Sequence, residues 1–292
     1  MAQPQNPDFI FANYCACFID LLGQKKALEG QNLLPSEAPG TDRDDFLKIV
    51  ANSVAPIISL QRFAEIFRDR SSSTPPDLSS LSPENVALYR AMSSDFPKQQ
   101  RWSDGLVFFH SLQATDSNCP MNAVYEMIAL AGALCVNSLA VGTPIRGAME
   151  ISWGIELHDN ELYGAVVANS YHLESTIAKY PRIVVGPITV SYLMAHEREP
   201  ITDDKLLIHS KNLAKMCLSL LTKDKDDYYV VDYLGENFKS AILQQESQSL
   251  FIAGREFARS QHELHKSAKN KILEERYEWL LEYFENNSHH HI

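Results

Sequence analysis

Two aspartates stand where a carboxylate demands explanation. Asp20 closes the run Tyr14-Cys15-Ala16-Cys17-Phe18-Ile19 and is followed by Leu21-Leu22-Gly23. A run rich in β-formers and free of charge predicts a buried central strand. A carboxylate at its end needs a partner, because burying it alone is costly or shifts its pKa. A metal ion, an arginine or a helix N-terminus would each serve, and capping a helix that starts near Gly23 is the simplest role. Asp104 follows 84 positions later (104 − 20), in Arg101-Trp102-Ser103-Asp104-Gly105-Leu106-Val107. Asp-Gly between two strand-like runs signals a hairpin. Carboxylates converging from the strand and the hairpin would repel unless a divalent cation lay between them. Mg²⁺ or Mn²⁺ favours such oxygen donors and leaves positions open for phosphate oxygens. Paired ions about 4 Å apart are the arrangement that phosphoryl transfer uses.

The elements that must position these residues follow from periodicity. Asp42 to Arg70 keeps a helical spacing of Phe46, Ile49, Val50, Ile57, Leu60 and Phe67, with Pro56 inside it. Ser71 to Pro76 is a Ser/Pro surface loop, and Ser82-Pro83 opens another helix. Met121 to Leu139 predicts a long apolar helix, Thr143 to Ile155 a strand, Glu161 to Val166 a strand passing into a helix, and Ala168 to Lys179 an amphipathic helix. Arg182 to Val185 reads as a short buried strand and Pro187 as the start of a helix. Beyond Thr202 the pattern predicts a helix, strands at Cys217 to Leu221 and Tyr228 to Leu234, then charged helices over Gln244 to Ser260 and Gln261 to Glu285. Helices joining a mainly antiparallel sheet predict an α+β fold with a ferredoxin-like split βαβ sheet. Residues 1–200 would form the catalytic domain, and 201–292 a strand-helix extension packed on that domain or on a second subunit.

Composition narrows the function. The 292 residues carry 37 acidic and 26 basic side chains, a formal charge of −11, which argues against a nucleic-acid backbone as ligand. Ile128 to Val141 is alanine-rich and shorter than the roughly 20 residues of a membrane span, so it reads as a core helix. No signal peptide is expected from Met-Ala-Gln-Pro-Gln-Asn-Pro. The five cysteines lack metal-type spacing and predict buried free thiols in a reducing cytoplasm. His289 to His291 are given no function.

Together, Phe18-Ile19-Asp20-Leu21-Leu22-Gly23, Ser103-Asp104, Arg146-Gly147-Ala148-Met149-Glu150-Ile151-Ser152-Trp153-Gly154 and Tyr163-Gly164-Ala165-Val166-Val167-Ala168-Asn169-Ser170-Tyr171-His172-Leu173-Glu174 resemble the class III nucleotide cyclase homology domain. The likeness spans about residues 8 to 190, in the family's order. Tyr180-Pro181-Arg182-Ile183-Val184 adds a similarity to the pyrimidine cyclases of the Pycsar anti-phage system, which make cyclic UMP or cyclic CMP. The resemblance implies that Asp20, Asp104 and the Leu21 carbonyl hold two Mg²⁺ or Mn²⁺ ions, with the amides from Leu21 through Leu22 to Gly23 on the phosphates. It further implies attack of the 3′-hydroxyl on the α-phosphate, pyrophosphate as leaving group, and a homodimer with the active site at the interface.

One departure concerns the transition state. Where many class III cyclases carry an Asn and, four residues on, an Arg, this chain has Ala168 and His172. His172, Arg182 or Arg146 are the candidate replacements. For the base, Trp102 would narrow the pocket against purines, and Arg101 offers donors that match the uracil oxygens. On a regular strand these neighbours face opposite ways. The expected activity is conversion of UTP to cyclic UMP. The alternatives are cyclic CMP from CTP, or a degenerate domain that binds nucleotide without turnover.

Overall fold

A computed structural model of the chain describes residues 11–23, 41–72, 82–92, 96–102, 105–113, 119–158, 160–200, 202–243 and 247–287. Asp104, the segment after Gly23, most of the Ser/Pro loop and His289 to His291 lie outside the described residues. In chain order the elements begin with strand β1 (Phe11–Leu21) and helices α1 (Thr41–Ser72) and α2 (Pro83–Met92). Strands β2 (Lys98–Trp102) and β3 (Gly105–Ser111) and helix α3 (Pro120–Ala140) follow. Next come β4 (Ile145–His158), β5 (Glu161–Tyr163), α4 (Ala165–Thr176), β6 (Ile183–Val185), α5 (Pro187–Glu197) and α6 (Lys205–Ser219). The chain then forms β7 (Leu221–Lys223), β8 (Tyr229–Val231) and the short turn α7 (Glu236–Phe238), which runs into a π-helical stretch. Helices α8 (Ser247–Ser267) and α9 (Lys271–Asn286) close the described chain.

Among the described residues the strands form one mixed sheet in the order β2-β3-β1-β4-β6-β8-β7, with β5 paired to β4. β1 lies antiparallel to both β3 and β4, and β4 runs parallel to β6. Strands β7 and β8 continue the same sheet through Val184↔Val230, so the residues beyond 200 share its hydrogen bonding.

The two-residue period of β1 splits the core. Cys15, Cys17, Ile19 and Leu21 enter the larger apolar cluster with the α3 residues Met127, Ile128 and Leu134. Tyr14, Ala16 and Phe18 face the other way, onto Val107, Phe109, Leu162, Val166 and Val167. Helix α3 is long and apolar enough to cross a membrane, yet it packs between the sheet and helices α1, α6 and α8 as the central core helix. All five cysteines are buried free thiols, and burial pushes Cys15, Cys17, Cys135 and Cys217 well up.

Two boundaries differ from the sequence expectation. Cys217 belongs to α6, whose buried Leu213, Ala214 and Cys217 keep helical spacing and whose N-terminus is capped by Asp204. Only Leu221–Lys223 is extended, because a short apolar run reads equally as either state. The turn between the last two helices falls at Lys269-Asn270, not after Ser260. Lys269 takes a left-handed φ of 55°, and the Asn270 side chain accepts from the Leu273 amide at 3.4 Å. Neither Gly nor Pro marks that turn in the sequence.

Glu150 of β4 ties the sheet to α5. Its buried carboxylate accepts from the Thr189 amide and hydroxyl, each at 2.8 Å, from the Ile188 amide at 3.4 Å and from its neighbour Ile151 at 2.9 Å. The carboxylate therefore sits on the positive end of α5 and satisfies its first amides. Glu150→Ala is expected to cost roughly 2–4 kcal/mol in urea unfolding, because several buried donors lose their acceptor together.

Candidate active site

Asp20 emerges on the α4 side of the sheet, at the end of β1, directly opposite Arg146 at the start of β4. Arg146 Nη2 donates to Asp20 Oδ2 at 3.2 Å. On its other side Arg146 Nε lies 2.8 Å from Glu174 Oε1 of α4, an ion pair without hydrogen-bond alignment. The Asp20 and Arg146 side chains are 23% and 21% exposed, whereas that of Glu174 is 3% exposed. The open end of this carboxylate–guanidinium–carboxylate row is thus at Asp20.

Local features hold the row in place. Gly147 permits the close approach of β1 to β4 beside Asp20, since a methyl there would meet the Phe18 carbonyl and lie 2.8 Å from Ile183. Helix α4 starts at Gly164, whose φ of 138° and contact with Gly154 exclude a side chain. Ser170 is fully buried and donates to the Val166 carbonyl at 2.8 Å and to the Ala16 carbonyl of β1 at 3.2 Å. That bond seats α4 on β1 and so fixes Glu174 one turn further on.

Phe18, Trp102 and Tyr171 form an aromatic group on the same face. Trp102 and Tyr171 are parallel within 4° at 6.5 Å between centroids, and Phe18 meets them edge-on at 5.8 and 5.4 Å. Trp102 and Tyr171 remain about half exposed, at 49% and 51%. Arg101 is exposed, and the unshifted β2–β3 register gives it the opposite face from Trp102.

The remaining residues singled out from sequence are dispersed. Leu21 is buried in the ladder with β4. The Leu22 amide donates to the Pro144 carbonyl at 3.0 Å and is engaged there, not by a ligand. Gly23 is exposed with a φ of 96°. Ala168 and His172 lie one helical turn apart on the exposed face of α4, away from the row. Asp104 is not among the described residues, but its neighbours are: Trp102 pairs with Gly105, and Ile19 with Leu106. Gly105 is therefore level with Asp20.

Arg182 has other partners. Its guanidinium donates to Asp224, to Asp226 through two bonds, and to the Ile177 carbonyl at 2.9 Å. Burial opposes its charge, but the Asp226 and Asp224 carboxylates outweigh burial and raise its pKa. These residues line a cavity of about 400 Å³ with Tyr180, Trp279 and Lys179. Sequence reasoning did not assign Glu174 a role or notice Trp279 of α9, which stacks on Tyr180. The helical spacing of Ser170 and Glu174 after a strand was the available signal for the first; nothing local signalled the second.

Hard oxygen donors at Asp20 and Leu21 fit Mg²⁺ or Mn²⁺ by chemistry. Among the described residues no group of three or more His, Cys, Asp or Glu forms a complete metal cluster. No family model matches the chain, and no curated protein matches it. Among solved structures the chain is similar to the adenylyl cyclase CyaB from P. aeruginosa, with a TM-score of 0.35 and 15% identity over 64% of this chain and 83% of that one. Residue roles accordingly rest on this chain's own geometry.

The Arg182 cluster gives a pH prediction. Burial would raise the Asp226 pKa, but the hydrogen bond and charge of Arg182 hold it below its ordinary 3.8. A depressed carboxylate stabilises the fold above its unfolded pKa, and that contribution disappears as pH falls through the folded value. Melting temperatures of wild type and Asp226→Asn should therefore differ at pH 6 and draw together as pH falls below the ordinary 3.8.

Proposed function

We propose that the protein is a cytoplasmic pyrimidine nucleotide cyclase that converts UTP to 3′,5′-cyclic UMP and pyrophosphate, as a second-messenger source in anti-phage defence. The observation that carries this reading is the Asp20–Arg146 pair at the end of the central strand, level with the hairpin that bears Asp104. The antiparallel quartet β2-β3-β1-β4, with helical connections from β1 to β2 and from β3 to β4, supports the split βαβ form of that fold.

In this reading Asp20, the Leu21 carbonyl and Asp104 hold two Mg²⁺ or Mn²⁺ ions. When bound, such ions supply Lewis acidity and neutralise the triphosphate. Arg146 adds a fixed guanidinium beside Asp20, suited to phosphate oxygens. Trp102, backed by Phe18 and Tyr171, limits the base to the size of a pyrimidine. Arg101, exposed on the edge strand, favours the acceptor oxygens of uracil. The 3′-oxygen bonds to the α-phosphorus, the bond to the β-phosphate oxygen breaks, and the 3′-proton leaves to solvent.

Ala168 and His172 point outward, so they would reach a substrate only across a homodimer interface. The exposed Phe11, Trp153 and Tyr163 around β4 and β5 support such an interface. The same outward placement favours, as second reading, a domain that binds nucleotide without turning it over.

Incubating the protein with Mn²⁺ and each of the four nucleoside triphosphates, with products identified by mass spectrometry, tests this reading. Cyclic UMP from UTP is expected, and Asp20→Asn should lower its rate by at least about 100-fold while circular dichroism stays native. Cyclic CMP as main product would overturn the choice of base. Nucleotide binding without pyrophosphate release would establish the second reading instead.

A further inference from the structure

Tyr180, Pro181 and Arg182 join the residues beyond 200 to the elements that carry the row. Tyr180 stacks on Trp279 of α9 at 5.3 Å between centroids and 14° between ring planes. The Pro181 carbonyl accepts from the buried Tyr233 hydroxyl at 2.6 Å. The Arg182 guanidinium donates to Asp224 and Asp226, in the turn between β7 and β8. Asp224 is shared, since the Trp279 indole N–H also donates to it, at 3.3 Å. Trp279 therefore holds this segment twice, through Tyr180 and through the carboxylate that binds Arg182.

The same segment reaches the row from the other side. The Arg182 carbonyl accepts from the Gly147 amide at 2.9 Å, next to Arg146 in β4. The Arg182 guanidinium also donates to the Ile177 carbonyl at 2.9 Å, at the C-cap of α4 and one turn beyond Glu174. Between those two elements Arg146 meets Glu174 at 2.8 Å, and it meets Asp20 at 3.2 Å. Arg182 thus spaces the strand bearing Arg146 from the helix bearing Glu174. Tyr180, Arg182, Asp224 and Trp279 border the cavity of about 400 Å³, so on that side no side chains back their contacts. Directed bonds hold the segment there, and losing one frees it to shift.

We infer that Trp279 is a positioning residue for the Asp20–Arg146 pair: it fixes Arg182 through Asp224 and Tyr180, and Arg182 fixes β4 against α4. Helix α9 thereby supports the site without touching substrate. The effect on catalysis rests on the cyclase reading, whereas the bracing of β4 does not and is measurable without turnover.

The experiment compares amide hydrogen exchange and UTP kinetics of the full-length wild type, Trp279→Phe and Trp279→Leu. Phenylalanine keeps a ring for Tyr180 but loses the bond to Asp224, and leucine loses both. Lys225→Gln is the control, because it unties α9 from the same turn at Glu282 without touching Tyr180 or the Arg182 carboxylates. The Gly147 amide should exchange about tenfold faster in Trp279→Phe and faster still in Trp279→Leu, while the β1–β3 ladder keeps its rates. In Trp279→Leu, kcat for UTP should fall about tenfold with KM changing less than about twofold. Lys225→Gln should match wild type in both measurements. Uniform acceleration across the whole sheet would mark a merely structural tryptophan and overturn the inference. An unchanged Gly147 rate in both Trp279 variants overturns it too, as does an unchanged kcat in an active enzyme whose Gly147 exchange has risen. Selective exchange at Gly147 in a protein that cyclises no nucleotide upholds the brace and rejects the cyclase reading.

Discussion

The alternation of β1 governs the rest of the molecule. Its odd residues are sealed under α3 and its even residues under α4, while β3 and β4 pair with it on both sides. A strand so enclosed cannot slip, because moving it by one residue would exchange every side chain between the faces. Asp20 would then enter the apolar layer that holds Cys17 and Ile19. The near contact at Gly147 pins the same register from the β4 side. Asp20 meets Arg146 because packing along the whole of β1 leaves it no other place.

Two arginines stand at the starts of the parallel neighbours β4 and β6, each between two carboxylates. Arg146 has Asp20 and Glu174, and Arg182 has Asp224 and Asp226. Their surroundings separate their roles. The side chain of Arg182 is 1% exposed, so its pairs act mainly to offset their own desolvation. Arg146 and Asp20 keep contact with water, so a ligand can take over one of their interactions without opening the fold.

Much of this was legible in the chain itself. The charge-free run before Asp20 marked the central strand, Asp104-Gly105 marked the hairpin between β2 and β3, and the alanine-rich run before Val141 marked the core helix. Arginine was among the partners that a strand-end carboxylate requires, though Arg146 could be chosen only once register was known. Arg182 shows the limit more sharply: its motif suggested chemistry, while its partners Asp224 and Asp226 lie 42 and 44 residues away in an acidic loop with no distinctive pattern. The placement of α9 was out of reach for the same reason, since it depends on a ring stack between Tyr180 and Trp279.

Charge counting around the row constrains what it can bind. Asp20 and Glu174 flank Arg146, so the row carries two carboxylates against one guanidinium. The whole chain, at −11, gives no compensating field. A nucleoside triphosphate is strongly anionic and would be repelled by such a surface on its own. Glu174 is buried beside Arg146, whereas Asp20 is the more exposed of the two carboxylates. Any strongly anionic ligand at this row would therefore need a cation arriving with it to offset the two carboxylates.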